Sequence, residues 1–485
     1  MRIIRACREL GLSTVAIFSE ADRASLHVRF ADEAYCVGPA PAIESYLNCE
    51  AILAAAKASG AEAIHPGYGF LSESHEFALQ CQSSGLVYIG PSPEVIETMS
   101  NKTLARQIMV AHQVPVIPGG SGNIQDDSEA LALCRAIGFP VMLKAVSGGG
   151  GKGMRIVRRE AELCDAFHAV RREAYASFAD SRIFLERYFD AARHIEVQIF
   201  ADSFGNVIHL HERECSIQRR YQKVVEESPS PFVDDALRQE LTSAATIAAR
   251  AVGYVGAGTV EFLVDRGKAF YFLEMNTRIQ VEHSVTELVT GLDLVKEQIA
   301  VAAGEKLSVK QEDVKPRGWA IECRIYAEDL AQGHLPATGL IKGMVLPSGP
   351  GVRVDSGVQA GWSVSRYYDP MLVKLAVWGG NREEARLRML RALDECVIQG
   401  VSTNLALHKA ILRHPKFIEG DISTGFIEAC IPAVTDNPAR HDLAIIAAIC
   451  ANSLGGGQAK GGHSEPGKQD QWRLASKYQF WASRF

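Results

Sequence analysis

Residues 272–287, FLEMNTRIQVEHSVTE, place polar side chains at regular intervals in a way that favours an extended chain. Five polar residues occupy every second position of this stretch: Glu274, Asn276, Arg278, Gln280 and Glu282. In a strand, successive side chains point to opposite faces, so all five are predicted to project from one face. Acids and amides with one arginine suit a divalent cation, a phosphate and a small anion held together, since Mg²⁺ takes oxygen ligands. The alternative is a strand with one solvated face.

The overall composition excludes several classes of protein. The 485 residues are 47% hydrophobic and 22% charged, which is ordinary for a globular chain of roughly two to four domains. A net charge of -6 argues against a protein that binds nucleic acid by neutralising phosphates. No apolar run approaches the roughly 20 residues that span a membrane, and no signal or transit peptide is visible. Eleven scattered cysteines without a CxxC pair indicate reduced thiols, so we expect a cytoplasmic protein.

Residues 1–98 alternate helix-like and strand-like segments. Apolar residues at helical spacing predict a helix over 1–11, and TVAIFS predicts a buried strand. The pattern repeats with helices at 49–59 and 73–84 and strands at AEAIHP and LVYIG. Alternating helices and strands predict a parallel sheet with helices on both faces. Such a domain usually opens with a strand, so a first strand and its turn are expected to be absent here.

A glycine-rich run, SGGGGKGMRIV at 147–157, joins two predicted strands. The first strand, FPVMLKAV, carries Lys144, and MRIV resumes as the second. Glycine N–H groups in such a loop can approach phosphates closely, because no Cβ keeps the ligand away. The run lacks the Gly-Lys-Ser/Thr ending of a P-loop and the GxGxxG-to-helix context of a dinucleotide-binding fold. A phosphate-binding hairpin is therefore predicted, with a plain linker as the alternative.

A second hairpin is predicted over GTVEFLVDRGKAFYFLEMN, with its turn at 265–268. A turn centred between Arg266 and Gly267 makes Glu261 the diagonal neighbour of Glu274 on one face. A slightly longer loop sets the two acids directly opposite each other. Facing carboxylates repel unless a cation lies between them, so either register predicts a Mg²⁺ site.

Two further clusters precede this hairpin. His209 and His211 share a strand face and make a conceivable metal pair, but the sequence offers no third ligand at suitable spacing. The run QRRYQK at 218–223 gathers hydrogen-bond donors between strand-like segments, which suits a triphosphate. A solvated charged surface is the alternative for this run.

Taken together, these segments resemble the biotin carboxylase members of the ATP-grasp ligases over residues 1–428. The motifs that carry the resemblance follow the family's order: HPGYGFLSE (65–73), GGGGKGMR (148–155), QRRYQKVVEE (218–227), GAGTVEF (256–262), EMNTRIQVEH (274–283), ECRIYAED (322–329) and YYDPMLVKL (367–375). The resemblance implies an α/β fold in the following parts: a pre-ATP-grasp, Rossmann-like N-terminal domain (1–98) that lacks its first strand, an ATP-grasp domain (99–312) with a mobile lid at about 117–189, a mixed α/β C-terminal biotin carboxylase domain (313–428), and a linker with the start of an incomplete C-terminal region (429–485).

The resemblance also implies roles for individual residues. The implied ATP-binding residues are Lys102, Lys144, Gly148, Gly149, Gly150, Gly151, Gly153, Glu186, Arg187, His194 and Gln218. The implied metal ligands are Glu261, Glu274 and Asn276, and the implied bicarbonate pocket is Arg278, Gln280, Val281 and Glu282. The implied biotin residues are Tyr68 and Arg324. The catalytic set would be Glu282 as the base that deprotonates bicarbonate, Lys223 as the cation beside it, Arg324 as the group that stabilises biotin's anion, and Arg278.

The implied reaction is the first half-reaction of an acyl-CoA carboxylase. A ligase of this kind forms a C–N bond by carboxylating biotin with bicarbonate and ATP through carboxyphosphate, with Mg²⁺ or Mn²⁺ accompanying ATP. Biotin would arrive on a carrier protein or domain, since the chain has no AMKM-like biotinylation motif. The implied partners are this carrier, a carboxyltransferase subunit and further copies of the chain in a homodimer or larger assembly, without nucleic acid or membrane. The tail beyond TGFIE resembles the region that follows this domain in single-chain carboxylase alpha subunits of the methylcrotonyl- and propionyl-CoA type.

Two departures from the family pattern leave alternatives open. The family's opening strand and NRGE turn do not precede RACREL, and Tyr221 stands where many members have histidine. Tyrosine can donate a hydrogen bond but carries no charge near neutral pH. One alternative is another ATP-grasp ligase, such as a carbamoyl-phosphate synthetase, against which Arg324 and YYDPMLVKL argue. Another is a catalytically impaired paralogue that binds nucleotide or partner subunits without turnover.

Overall fold

The computed structural model describes residues 1–120, 124–146, 153–178 and 180–431 of the chain. Its N-terminal block contains α1 (Arg2–Glu9), β1 (Val15–Ser19), α2 (Leu26–Phe30), β2 (Glu33–Gly38), α3 (Cys49–Ser59), β3 (Ala63–Ile64), α4 (His75–Ser83), β4 (Val87–Tyr88) and α5 (Pro93–Ser100). The strands pair in parallel as predicted, β1 with β2 and β3 with β4. These are two separate pairs among the described residues, so the single parallel sheet that the pattern predicts is not continuous. β3 and β4 are each two residues long, which leaves few backbone groups for a wider ladder.

Local sequence sets the ends of these helices. Asn48 and Ser74 immediately precede α3 and α4, and their side chains accept hydrogen bonds from the N–H groups of Ala51 and Phe77 at 3.1 and 3.2 Å. Such N-caps satisfy donors that the first helical turn leaves free. Gly60 ends α3 at φ +67°, a left-handed conformation that glycine adopts without steric cost. The helix predicted at 49–59 therefore has the predicted bounds.

A three-stranded antiparallel sheet, in the order β6-β5-β7, lies in the second block. The elements of this part are α6 (Lys102–Ala111), α7 (Asp127–Ile137), β5 (Val141–Ala145), β6 (Met154–Val157), α8 (Leu163–Phe178) and β7 (Ile183–Arg187). β5 and β6 are the two strands predicted on either side of the glycine-rich run, and Lys144 faces Met154 across them. The hairpin is therefore confirmed as a hairpin, while residues 147–152 of its loop lie outside the described residues.

An eight-stranded antiparallel sheet, ordered β12-β11-β8-β9-β10-β13-β20-β18, positions the site. Its first five strands and the neighbouring helices are β8 (Arg193–Ala201), β9 (Val207–Arg219), β10 (Gln222–Ser228), α9 (Asp235–Ala251), β11 (Gly256–Val264), β12 (Phe270–Asn276), α10 (His283–Thr290) and α11 (Leu294–Ala302). β10 continues the sheet into the C-terminal block by pairing with β13 over Val225–Ser228. The sheet therefore crosses the boundary predicted at residue 313, and the domain division itself stays a prediction.

The C-terminal block completes this sheet and covers it with helices. Its elements are β13 (Trp319–Tyr326), β14 (Glu328–Asp329), β15 (Leu335–Pro336), β16 (Gly339–Leu340), β17 (Gly343–Val345), β18 (Val352–Ser356), β19 (Ser363–Val364), β20 (Met371–Gly379), α12 (Arg382–Glu395), β21 (Val397–Gln399), α13 (Leu405–Arg413), α14 (Pro415–Glu419) and α15 (Phe426–Cys430). Fully buried residues such as Ile321, Leu375 and Met389 join strands and helices in one apolar core. Every cysteine of the described part is a free thiol, as predicted. No helix within the described ranges is long and apolar enough to cross a membrane.

A buried histidine ties α13 to the sheet. The His408 side chain is fully buried, and its Nε2 lies 2.8 Å from the carbonyl oxygen of Arg324. Burial lowers the pKa of His408 to about 4. Burial also lowers the pKa values of His65 and His209 to about 4. These imidazoles are therefore neutral in the folded protein at pH values where they would be protonated in an unfolded chain.

We expect the free energy of unfolding to fall as the pH drops from about 6.5 to about 4, because the unfolded chain takes up these protons first. The slope is roughly 1 kcal/mol per pH unit for each fully buried histidine. His408→Gln keeps a donor for the Arg324 carbonyl but does not titrate, so its stability should fall less steeply. Urea unfolding of both proteins at about pH 7.5 and about pH 5 measures the difference. Equal slopes would contradict the assignment of a neutral His408.

Candidate active site

A cleft of about 1240 Å³ opens on one face of the large sheet and extends to the three-stranded sheet. Most of the predicted site residues line it: Tyr68, Lys102, Lys144, Glu186, Arg187, His194, Gln218, Lys223, Glu261, Glu274, Asn276, Arg278, Gln280, Val281 and Arg324. Glu282 is fully buried behind the wall of the cleft. Gly153 lies away from the lining, where its N–H donates to Glu173 Oε1 at 3.2 Å. The predicted loop residues Gly148, Gly149, Gly150 and Gly151 lie outside the described residues.

The hairpin of β11 and β12 brings two acids together. Glu261 faces Glu274 directly, which is the second of the two predicted registers. A β-bulge creates it, because Phe262 pairs with Phe272 and so leaves Leu273 as an extra residue. Glu274 is open to the cleft, yet partial desolvation and the facing carboxylate of Glu261 raise the pKa of Glu274. A divalent cation would relieve this repulsion, so the donor set fits the predicted metal.

Beyond Asn276 the prediction of one extended strand is wrong. β12 ends at Asn276, the chain turns, and α10 begins at His283 with Glu282 in the N-cap position. The backbone here finds side-chain partners instead of a neighbouring strand: the N–H of Thr277 donates to Glu73 Oε1 at 3.2 Å. Alternation along a strand therefore does not explain how these polar residues meet.

The side chains of the turn nevertheless converge. Arg278 donates from Nη2 to Asn276 Oδ1 and from Nη1 to Gln280 Oε1, both at 3.1 Å. Gln280 in turn donates from Nε2 to Glu261 Oε1 at 3.2 Å. Arg278 also pairs with Glu73 of the N-terminal block, with 3.0 Å between Nε and Oε2. Arg278 and Gln280 thus lie together beside Glu261, a predicted metal ligand, and their donors suit a small anion.

Lys223 lies at the centre of three carboxylates. Its Nζ donates to Glu196 Oε2 at 2.5 Å, to Glu261 Oε1 at 2.8 Å and to Glu282 Oε1 at 2.7 Å. Burial alone would lower the pKa of Lys223, but these three acids outweigh burial and raise it well above its usual range. The lysine is therefore a fixed positive charge between the predicted metal ligands and the predicted base.

Glu282 is held between two cations. Its second oxygen, Oε2, accepts from Arg324 Nη2 at 2.9 Å, and Arg324 Nε donates to Glu226 Oε1 at 2.6 Å. Burial would raise the pKa of Glu282, but Lys223 and Arg324 outweigh burial and hold the pKa well below its usual range. Glu282 is consequently a carboxylate, the form that can accept a proton.

The nucleotide-type residues lie on the other side of the hairpin. Lys144 on β5 pairs with Glu186 on β7, and both side chains line the cleft. His194 lies between Gln218 and Glu261, with 2.9 Å from Nδ1 to Gln218 Nε2 and 2.9 Å from Nε2 to Glu261 Oε2. The structure therefore places His194 against the predicted metal pair as well as in the predicted nucleotide region.

Several residues of the site escaped the sequence analysis. Glu196 is fully buried and supports Lys223, and the alternation of His194, Glu196 and Gln198 with apolar residues along β8 was a usable signal for it. Arg213 is also fully buried and donates from Nε to Glu196 Oε1 at 2.5 Å. No local pattern marks Arg213, since its partners come from three other elements, β8, β11 and α10.

Two groups of ligand-type atoms cluster within 4.8 Å in the described part of the chain: His194, Glu196 and Glu261, and Glu196, Cys215 and Glu282. The ammonium of Lys223 already lies 2.5–2.8 Å from three of these acids, so it takes the place of a cation there. The His209 and His211 rings are 5.4 Å apart, and neither belongs to these clusters.

Comparisons with known families agree with this geometry. Residues 1–96 match "Biotin carboxylase, N-terminal domain", residues 101–310 match "Carbamoyl-phosphate synthase L chain, ATP binding domain", and residues 322–429 match "Biotin carboxylase C-terminal domain". The fold and the site thus define an ATP-grasp ligase.

Similar proteins identify the family. Biotin carboxylase 1 of Bacillus subtilis is 51% identical over 429 residues, which is 88% of this chain and 95% of that protein. The human mitochondrial propionyl-CoA carboxylase alpha chain is 51% identical over 433 residues, and the match spans 89% of this chain and 60% of that protein. A crystal structure of a biotin carboxylase complex with beta-gamma-ATP from Campylobacter jejuni superposes with a TM-score of 0.86 at 45% identity, covering 88% of this chain and 95% of that one. The chain belongs to the biotin carboxylase family, and the predicted fold class and ligase class are confirmed.

Proposed function

We propose that this chain carboxylates biotin with bicarbonate and ATP through carboxyphosphate, using the residues gathered around Glu282. The observation that carries the proposal is the position of that carboxylate. Glu282 is shared between Lys223, which also contacts the predicted metal ligand Glu261, and Arg324, which lines the cleft. In this proposal Glu282 would be one base between the nucleotide-binding side and the biotin-binding side of the same cleft.

Mg²⁺ accompanies ATP in this reaction, and we propose that Mn²⁺ can replace it. Glu261, Glu274 and Asn276 would hold the metal, which supplies charge neutralisation for the phosphates of the nucleotide. A biotin carboxylase domain dimer from Hydrogenobacter thermophilus was crystallised with MgADP and bicarbonate, and it is 45% identical with a TM-score of 0.85, covering 88% of this chain and 94% of that one. Lys102 and Lys144 extend the positive charge along the cleft toward the three-stranded sheet.

Bicarbonate would bind against Arg278, Gln280 and Val281, next to Glu282. Bicarbonate is a poor nucleophile until it loses its remaining proton, and the charged Glu282 is placed to accept that proton. The bicarbonate oxygen then attacks the γ-phosphorus, the bond to ADP breaks, and carboxyphosphate forms. Lys223 keeps the carboxylate of Glu282 oriented during this step through its 2.7 Å contact.

Biotin would be carboxylated on the Arg324 side of the cleft. Carboxyphosphate breaks down to CO₂ and phosphate, and the phosphate takes the proton of the ureido nitrogen. The nitrogen then forms a bond to CO₂, which gives carboxybiotin. The guanidinium of Arg324 would neutralise the ureido oxygen as negative charge develops on it. Tyr68 lines the same cleft and is proposed as a second contact to biotin.

We further propose that biotin reaches this cleft on a carrier protein or domain and that a carboxyltransferase subunit uses the product. Support comes from the relatives that are named as parts of carboxylases, such as the human mitochondrial propionyl-CoA carboxylase alpha chain. A homodimer is the proposed assembly, as in the Hydrogenobacter thermophilus domain dimer. The propionyl-CoA and methylcrotonyl-CoA carboxylases are the proposed enzyme types.

The decisive assay is bicarbonate-dependent ATP hydrolysis with and without free biotin. Stimulation by biotin is the expected result. Bicarbonate-dependent hydrolysis that biotin does not stimulate would indicate another ATP-grasp reaction, such as that of the carbamoyl-phosphate synthetases. Thermal stabilisation by Mg·ATP without any turnover would indicate a binding paralogue. Either of the last two results contradicts the proposed function.

We expect Glu274→Gln to weaken binding of Mg·ATP on the order of tenfold or more, because the facing pair loses one of its two charges. The Mg²⁺ concentration that gives half-maximal ATP hydrolysis should rise with it. Asp265→Asn is the matched control, since Asp265 is a half-buried acid at the turn of the same hairpin, away from the residues that line the cleft. Titration of nucleotide at several Mg²⁺ concentrations measures both variants. An unchanged Mg²⁺ requirement in Glu274→Gln would remove Glu274 from the metal site.

A further inference from the structure

Lys374 is a buried cation that the proposed reaction does not use. It lies in the middle of β20 and is 5% exposed. The strand register pairs it with Arg324 on β13, so both side chains leave the same face of the sheet. Arg324 reaches the carboxylate of Glu282, and Lys374 reaches the backbone of the preceding residue: its Nζ donates to the carbonyl oxygen of Val281 at 2.5 Å.

The surroundings of Lys374 show that this bond to Val281 is its directional contact. The nearest carboxylate oxygens, from Asp355 and Glu322, are 3.8 and 3.9 Å away, which is beyond hydrogen-bond distance. An ammonium buried only for stability would be expected to touch a carboxylate directly. Lys374 has these two acids at the outer limit of ion-pair distance and directs its hydrogen bond to a neutral carbonyl group, that of Val281.

Val281 occupies a turn whose successive backbone groups are each held by a different partner. The carbonyl of Gln280 lies 2.8 Å from His283 Nδ1, and the carbonyl of Glu282 accepts the N–H of Val285 at 3.2 Å to start α10. Lys374 holds the carbonyl between them. Gln280 and Val281 both line the cleft. The orientation of the Val281 peptide group therefore determines how the side chains and backbone groups of these two residues are directed toward the cleft.

We propose that Lys374 is a positioning residue that fixes the Val281 peptide and thereby sets the bicarbonate subsite. This inference rests on the proposed function, because it takes Arg278, Gln280 and Val281 as the residues around bicarbonate. Lys374 acts through the backbone from behind the cleft wall. A displacement on the order of 1 Å at a reacting group can cost up to about a hundredfold in rate.

Lys374→Met tests the proposal, because methionine keeps the length and removes the ammonium. We expect the KM for bicarbonate to rise about tenfold or more, with the KM for ATP changed by less than about twofold. Lys374→Arg retains a donor and should recover most of the loss. Lys409→Met is the matched control: Lys409 lies on α13 and pairs with Asp394 at 2.8 Å, away from the turn. It should leave both KM values unchanged.

Two results would overturn the proposal: an unchanged bicarbonate KM in folded Lys374→Met, or equal rises in both KM values, which indicate general loosening. A double variant, Lys374→Gln with Glu322→Gln, removes both buried charges and answers the same question if the single variant does not fold. Wild-type protein without bicarbonate-dependent ATP hydrolysis would instead contradict the proposed function. The two failures are therefore distinguishable.

Discussion

Glu282→Gln should lower bicarbonate-dependent ATP hydrolysis by about 10²- to 10⁴-fold and leave the affinity for Mg·ATP within about twofold. An amide cannot accept the proton that bicarbonate must lose. Glu282 is fully buried, and its two oxygens contact Lys223 and Arg324. A water molecule therefore cannot take over the role of the base in the variant. The nucleotide-side acids Glu261 and Glu274 keep their positions on the hairpin.

Two measurements separate this effect from a loss of structure. Nucleotide binding by isothermal titration should match that of the wild type, and turnover should fail at saturating ATP. Glu282→Asp is the companion variant: it keeps a carboxylate on a shorter side chain and should retain more activity than the amide. Normal turnover in Glu282→Gln, or a loss of Mg·ATP binding equal to that of Glu274→Gln, would show that the roles are assigned wrongly.

The second large effect concerns stability. We expect Arg213→Met to lower the free energy of unfolding by about 3–5 kcal/mol, because it removes one of the two cations that pair with the buried carboxylate of Glu196 and leaves its Oε1 without that donor. Arg213 is fully buried, and its guanidinium holds Glu196 at 2.5 Å and Gln198 at 2.7 Å. It also donates to Thr286 at 3.0 Å and Thr259 at 3.1 Å, which joins three strands and α10.

Chemical denaturation of the two proteins measures this change. Arg213→Lys should recover little, since an ammonium cannot reproduce the fork of donors that the four partners require. Arg135→Met is the control: Arg135 is an exposed arginine paired with the exposed Glu160 at 2.7 Å, and its loss should have little measurable effect. Arg213→Met with wild-type stability would mean that Lys223 alone compensates the buried charge of Glu196. Lys223 should also lose support in this variant, so turnover is expected to fall with stability.

Much of the fold could be predicted from local patterns. The helix at 49–59 has both an N-cap residue and a terminal glycine, and its bounds are confirmed. The two hairpins were predicted because strand-like runs flank turn residues, and both are present. The extent of pairing could not be predicted, since it depends on which strands meet in space. The parallel strands form two pairs, whereas β10 and β13 continue one sheet across some ninety residues of sequence.

The site shows the same limit. The sequence predicted that Glu261 and Glu274 lie close together on one face of the hairpin. It left two registers open, and the bulge at Leu273 determines which of them forms. The stretch after Asn276 was predicted as a strand, because alternation alone cannot distinguish a strand from a turn whose side chains bond to one another. Arg213 could not have been predicted, since its role comes from partners far apart in sequence. The individual roles carried over from the family remain predictions.

The pairing of β10 with β13 also limits how this protein can be divided or recombined. A fragment that stops before Trp319 would expose the backbone groups of Val225–Ser228, which the intact sheet pairs and buries. An open strand edge presents unpaired N–H and C=O groups that can pair with other chains and cause aggregation. Split versions and domain chimaeras should therefore keep the two blocks on one polypeptide, or supply a replacement strand for that edge.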